Sequence, residues 1–162
     1  MEHVVPVLYT LAIYLLFAKV WPYCLYPNYF LPSKIEQYPE LTGLASGLRG
    51  NDKLQTVENV YAYIQRTYTG HADVFKIKSA LSVFKLGDFS TKELPNKKQF
   101  LWCHTQNRLL KSILVNTGAF QESEILIQRR LFFSLFIHQW LALDVEGKKM
   151  KIDPYYGIFE VR

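Results

Sequence analysis

Between residues 131 and 145 the chain alternates, with Ile137, Gln139 and Leu141 on one side and His138, Trp140 and Ala142 on the other, in a stretch rich in aromatic and aliphatic side chains. That two-residue period, with aromatic and aliphatic enrichment, predicts a β-strand. Glu146-Gly147 then supply a turn, and Met150–Asp153 return as its partner. Upstream the period changes. Leu109, Leu110, Ile113 and Leu114 recur at helical spacing after a loop marked by Pro95-Asn96-Lys97-Lys98, which predicts a helix over 100–116. A further helix is expected over 55–68, a short strand near 123–128 and a loop over 87–99. Residues 73–86 read as helix or helix-loop, with Ala80-Leu81-Ser82-Val83-Phe84 as a core segment. The whole is an α+β unit in which helices pack on a small antiparallel sheet.

The hairpin has a chemical consequence. A two-residue loop at Glu146-Gly147 brings Trp140 opposite Asp153 and makes His138 the diagonal neighbour of Asp153 on the same face, about 7–8 Å away between backbones. Long side chains bridge that gap. The rival carboxylate, Asp144, lies six residues along the strand from His138, or roughly 20 Å at about 3.3 Å per residue. Asp153 is therefore the expected partner of His138.

Cys103 completes a thiol triad. Attack on a carbonyl requires a thiolate, a base beside it and a third group to orient that base. Placed in the first turn of the 100–116 helix, the sulfur meets the positive end of the helix dipole, and the unpaired N–H groups there offer an oxyanion hole. The expected catalytic residues are Cys103, His138 and Asp153, with Tyr68, Trp102 and Trp140 as candidates for oxyanion or substrate contacts.

Trp102-Cys103, the Thr117-Gly118 helix exit with Ile125-Leu126-Ile127 after it, His138-Gln139-Trp140 and Asp153-Pro154 occur in that order, and a leading helix Val57–Tyr68 ends in an aromatic. In this the chain resembles the transglutaminase-like branch of the papain-like thiol enzymes over roughly residues 55–160. The resemblance implies a papain-like core, with the cysteine-bearing helix packed on a sheet that carries histidine and aspartate. It also implies a cysteine hydrolase or acyltransferase acting on peptide or glutamine side-chain amides, with a protein or peptide substrate and no cofactor. One departure stands out: Phe100-Leu101-Trp102 precede the cysteine and His104 follows it, where the family usually has glycine before and a small or acidic residue after.

Each residue also has a plainer reading. A lone cysteine is commonly a small buried hydrophobe, a strand histidine a satisfied core or edge residue, and Asp-Pro a turn opener. A non-catalytic module of the same fold, binding peptides or assembling at a membrane, is the alternative to an enzyme. A metal centre built from His71, Cys103, His104 and His138 is not expected, because adjacent helix positions diverge and no C-x-x-C or H-x-x-x-H spacing is present. His104 is expected as an exposed first-turn residue.

The N-terminus changes the picture in another direction. Val4 to Ala18 are almost wholly apolar before Lys19 interrupts, and Trp21, Tyr23 and Tyr26 could form an aromatic belt. A spanning helix needs about 20 residues. Residues 1–26 are therefore expected to form a single-pass membrane anchor in contact with lipid; a buried helix, an interfacial helix and a signal peptide are the alternatives. Residues 27–54 are expected to be a linker or collar and 55–162 the transglutaminase-like domain. Lys19, Lys34, Arg49 and Lys53 all follow the apolar run, which points to a cytoplasmic catalytic domain. Two cysteines in the chain, Cys24 and the assigned nucleophile, leave no evident disulfide pair. The net charge of +5 is spread along the chain and accompanied by no nucleic-acid motif, so attraction to anionic lipid is the expectation and nucleic-acid binding is not.

Overall fold

The computed structural model describes residues 6–14, 35–73, 76, 99–132 and 136–162. Helix α1, Pro39–Leu48, opens with a proline in its first turn, where a missing N–H costs nothing, and buries Leu41 and Ala45 completely. Helix α2, Lys53–Thr67, is capped by Asp52, whose carboxylate accepts from the Gln55 N–H at 2.7 Å, and it buries Val57, Val60 and Ile64. The chain then enters β1, Tyr68–Thr69, which pairs in parallel with β2, Gln99–Phe100.

Helix α3, Cys103–Asn116, is the centre of the fold. It packs against α1, α2 and the main sheet, and Leu109, Leu110, Ile113 and Leu114 are fully buried. Gly118 follows it at φ 72°, a left-handed exit that suits glycine. Four antiparallel strands form the sheet in the order β3 (Ile125–Phe132), β4 (Phe136–Val145), β5 (Lys148–Asp153) and β6 (Ile158–Val161). Leu141, Leu143, Met150 and Ile152 are buried on the side that α3 covers, and the alternate positions of the same strands turn the other way.

The register is set at the hairpin tip. Glu146 and Gly147 both take positive φ, 56° and 79°, as a two-residue turn matched to strand twist requires. Val145 therefore pairs with Lys148 and Leu141 with Ile152, and one further step sets Trp140 opposite Asp153.

The α+β class and the antiparallel sheet agree with the sequence pattern. Three features differ. The 27–54 segment expected as a linker contains α1 and the start of α2: among its prolines and glycines, Leu41, Leu44, Ala45 and Leu48 recur at helical spacing and pack on the core. Strand β6, after the Pro154–Gly157 turn, was not anticipated. The single-pass membrane anchor is overturned, because no helix among the described residues is long and apolar enough to cross a membrane. The uninterrupted apolar run of the N-terminus was already short, ending at Lys19. The rest of that expectation, Cys24, and nearly all of the expected 73–86 and 87–99 segments lie outside the described residues.

Glu146 is a side-chain-bearing residue in left-handed backbone, a conformation that costs about 1 kcal/mol or more outside glycine and asparagine. Glu146→Asn should raise the melting temperature by about 2–4 °C, read by thermal unfolding. An unchanged or lower midpoint would contradict the strain assigned to this turn.

Candidate active site

The first turn of α3 meets β4 near His138. Cys103 is the first residue of the helix, with Trp102 as N-cap, so its N–H belongs to the set with no partner within the helix. Its thiol points toward the Ile137 carbonyl oxygen, 4.0 Å away, and 5 % of the residue is exposed. Two buried amides hold this arrangement. Asn107 Nδ2 donates to the Gln139 carbonyl at 2.8 Å, fixing β4 one residue past His138, and Gln106 Nε2 donates to the carbonyls of Thr69 and Leu101, each at 3.0 Å.

His138 Nε2 lies 2.5 Å from Asp153 Oδ2. Asp153 Oδ1 accepts from the Tyr156 N–H at 3.3 Å, so both carboxylate oxygens are used. With Nε2 engaged, Nδ1 is the ring nitrogen left for Cys103. Burial alone would push the imidazole pKa down. Hydrogen bonds to Asp153 and Cys103, together with the negative charges of both, outweigh burial and hold it up at about 9. At neutral pH the group is an imidazolium.

The turn that follows the aspartate is tied to α2 and to the segment after β1. Gln65 Nε2 of α2 donates to the Pro154 carbonyl at 2.5 Å, and the His71 N–H donates to the Tyr155 carbonyl at 2.9 Å. Between them Gly70 approaches Tyr155 so closely that a Cβ would collide with its backbone, which only glycine avoids. The two tyrosines of this turn wall the imidazole: Tyr156 meets it edge-on with centroids 4.7 Å apart, and Tyr155 lies at 6.1 Å. Burial and the charge of Cys103 raise the Tyr155 pKa, so its hydroxyl stays protonated. Trp140 stacks on His138 at 6.1 Å, and Trp102 lies nearly parallel to Tyr155 at 6.4 Å.

The structure thus brings together Cys103, His138 and Asp153, with Trp102 and Trp140 around them. Tyr68 is elsewhere. It is buried against Tyr63, edge to face at 6.4 Å, and its raised pKa comes from burial, then Tyr63, then Tyr38. His104 also differs from expectation. It is partly buried rather than exposed, its Nε2 lies 3.1 Å from Thr105 Oγ1, and burial, then the Arg108 charge, push its pKa down to about 4. It is neutral where His138 is charged. His71 stacks on Tyr156 with centroids 4.6 Å apart. No group of three potential metal ligands forms among the described residues.

Sequence reasoning passed over Tyr155, Tyr156, Asn107 and Gln65. The tyrosines carried a signal, an aromatic pair directly after the orienting aspartate. Asn107 and Gln65 carried none, because polar residues on a helix read as solvent-facing until the packing is known.

No family model, no curated protein and no solved structure matches this chain.

Raising the folded-state pKa of His138 above its unfolded value of about 6.5 stabilises the protein fully below pH 6.5, and that contribution is lost as pH rises through about 9. Asp153→Asn removes one of the two anions, so the imidazole midpoint should fall below the wild-type value. The loss of stability between pH 6.5 and 9 should shrink with it. NMR titration of the His138 ring and denaturant unfolding across pH check both, and an unmoved midpoint would rule out the pairing.

Proposed function

We propose that the chain is a thiol hydrolase or acyltransferase acting on amide bonds, of transglutaminase-like type with a papain-like core. The observation that carries this reading is the imidazole of His138 held between a carboxylate at 2.5 Å and a thiol at the start of a buried helix. Support also comes from the order of the elements, cysteine helix, histidine strand, aspartate strand, and from the Asp-Pro turn anchored on α2.

The chemistry follows from those positions. Cys103 as thiolate attacks the amide carbonyl carbon, and the oxygen gathers negative charge beside the N–H groups of the first turn of α3, which have no partner within the helix. The tetrahedral species collapses as His138 gives its proton to the leaving amine, which departs and leaves an acyl thioester on Cys103. Water, or an acceptor amine, then attacks the thioester while His138 removes its proton. Acid or transferred amide is released, the sulfur leaves as thiolate and the imidazolium is restored. Asp153 keeps the ring oriented and stabilises its charge throughout.

One observation favours a non-catalytic peptide-binding module instead: only 5 % of Cys103 is exposed. Alkylation separates the two readings. A free thiol is on the order of 0.3 % thiolate at pH 6, given a pKa of about 8.5. If Cys103 is paired with His138, iodoacetamide should modify it at pH 6 at least about tenfold faster than in His138→Ala, with the site located by peptide mass spectrometry. Equal rates in the two proteins across pH would remove the enzymatic reading.

A further inference from the structure

The side of the sheet that α3 leaves uncovered is not neutral. A groove of about 640 Å³ runs from His138 and Asp153 along β5 toward the C-terminal end of β6, and Arg130, Lys149, Lys151 and Arg162 all line it. They converge from β3, from β5 and from the residue after β6, so positive charge scattered in sequence becomes one surface in the fold. Asp144 and Glu160 stand across the ladder from Lys149 and Lys151, and Asp153 follows on β5. Asp153 bonds His138, and Asp144 accepts from the Gly147 N–H at 2.9 Å within the hairpin turn. Glu160 pairs with Arg162 at 2.7 Å. Among the described residues, Lys149 and Lys151 have no carboxylate within ion-pair distance. Asp153 is the only one of the three acids that contributes to the groove wall.

We propose that this groove is an anionic subsite which selects peptide substrates carrying acidic side chains next to the amide delivered to Cys103. The proposal rests on the catalytic reading above and adds the substrate class to it. Like charges on one concave surface are costly without a counter-charge, and an occupant that supplies two or more carboxylates gains from every cation it meets. The volume matches a few side chains. It begins at the His138 imidazole and the Asp153 carboxylate, so what fills it lies beside the base of the proposed triad. A peptide fits better than a single-stranded nucleic acid, which needs successive open aromatic faces for its bases. Here Trp140 lies beneath the Lys151 ammonium, 5.5 Å from the ring centre, and Tyr156 stands between His71 and His138 with both rings under 5 Å.

Two measurements on the full chain test this. In the first, Cys103 is labelled with a pair of peptidyl acyloxymethyl ketones identical except for glutamates or glutamines upstream of the reactive carbonyl. The thiolate forms a thioether and the carboxylate leaves. The glutamate probe should react about tenfold faster, the scale expected of two or three solvent-facing ion pairs, and Lys149→Glu with Lys151→Glu should abolish that preference. Because Lys151 also covers Trp140, Lys149→Glu alone provides a second variant at an exposed position and should lose part of it. In the second measurement, fluorescein-labelled hexaglutamate binds the Cys103→Ser chain, read by anisotropy, and is lost in the double lysine variant. Equal labelling by both probes, with no hexaglutamate binding, overturns the subsite and leaves the triad standing. Lysine-dependent hexaglutamate binding with no labelling by either probe supports the subsite and removes the catalytic reading. Tighter binding of an oligothymidylate of equal charge overturns the peptide assignment in favour of nucleic acid.

Discussion

The site depends on a helix buried on nearly every side that nevertheless carries amide side chains. An amide taken out of water without a partner costs about 1–3 kcal/mol, so Asn107 and Gln106 are tolerated in α3 because their donors reach backbone carbonyls of neighbouring elements. Those bonds also set distances. Asn107 grips β4 at Gln139, the residue after His138, and Gln106 grips β1 at Thr69 and the approach to the helix at Leu101. The nucleophile's helix and the base's strand are thus located relative to each other by directional contacts as well as by the apolar packing of Leu109, Leu110, Ile113 and Leu114.

Electrostatics builds on that frame. A protonated imidazole in a partly buried setting is unfavourable unless anions flank it, and Asp153 and Cys103 supply them. One residue from the nucleophile, His104 meets burial and the Arg108 cation, which both push its pKa down to about 4, and its ring is neutral. The same residue type thus takes opposite charge states within one small region because of what surrounds it. On the open side of the sheet the cations of β3, β5 and the C-terminal residue extend the positive field outward from the imidazolium.

Much of this was legible in the chain because it depends on periods and turn geometry. Alternation around His138 and the Glu146-Gly147 turn are enough to place Asp153 rather than Asp144 near the imidazole, and the helical spacing after Trp102 is enough to put Cys103 in a first turn. What escaped depends on tertiary contact. Residues 39–48 carry Leu41, Leu44, Ala45 and Leu48 at helical spacing, but the prolines and glycines around them read as a linker, and Tyr68 has the composition of a site residue but the surroundings of a core one. Arg130 and Lys149 become neighbours of one groove only through a register that crosses two hairpins. The apolar N-terminal run was read as an anchor, and no helix among the described residues is long and apolar enough to cross a membrane.

The turn at Glu146-Gly147 acts as a ruler for the chemistry. Side chains of a strand alternate between its two faces, so lengthening that turn by one residue with the rest of the ladder kept would rotate Asp153 to the opposite side of the sheet from the imidazole. The apolar residues of β5 would be turned outward by the same slip. Core and chemistry are therefore indexed by a single loop length, and a chain that preserves one preserves the other.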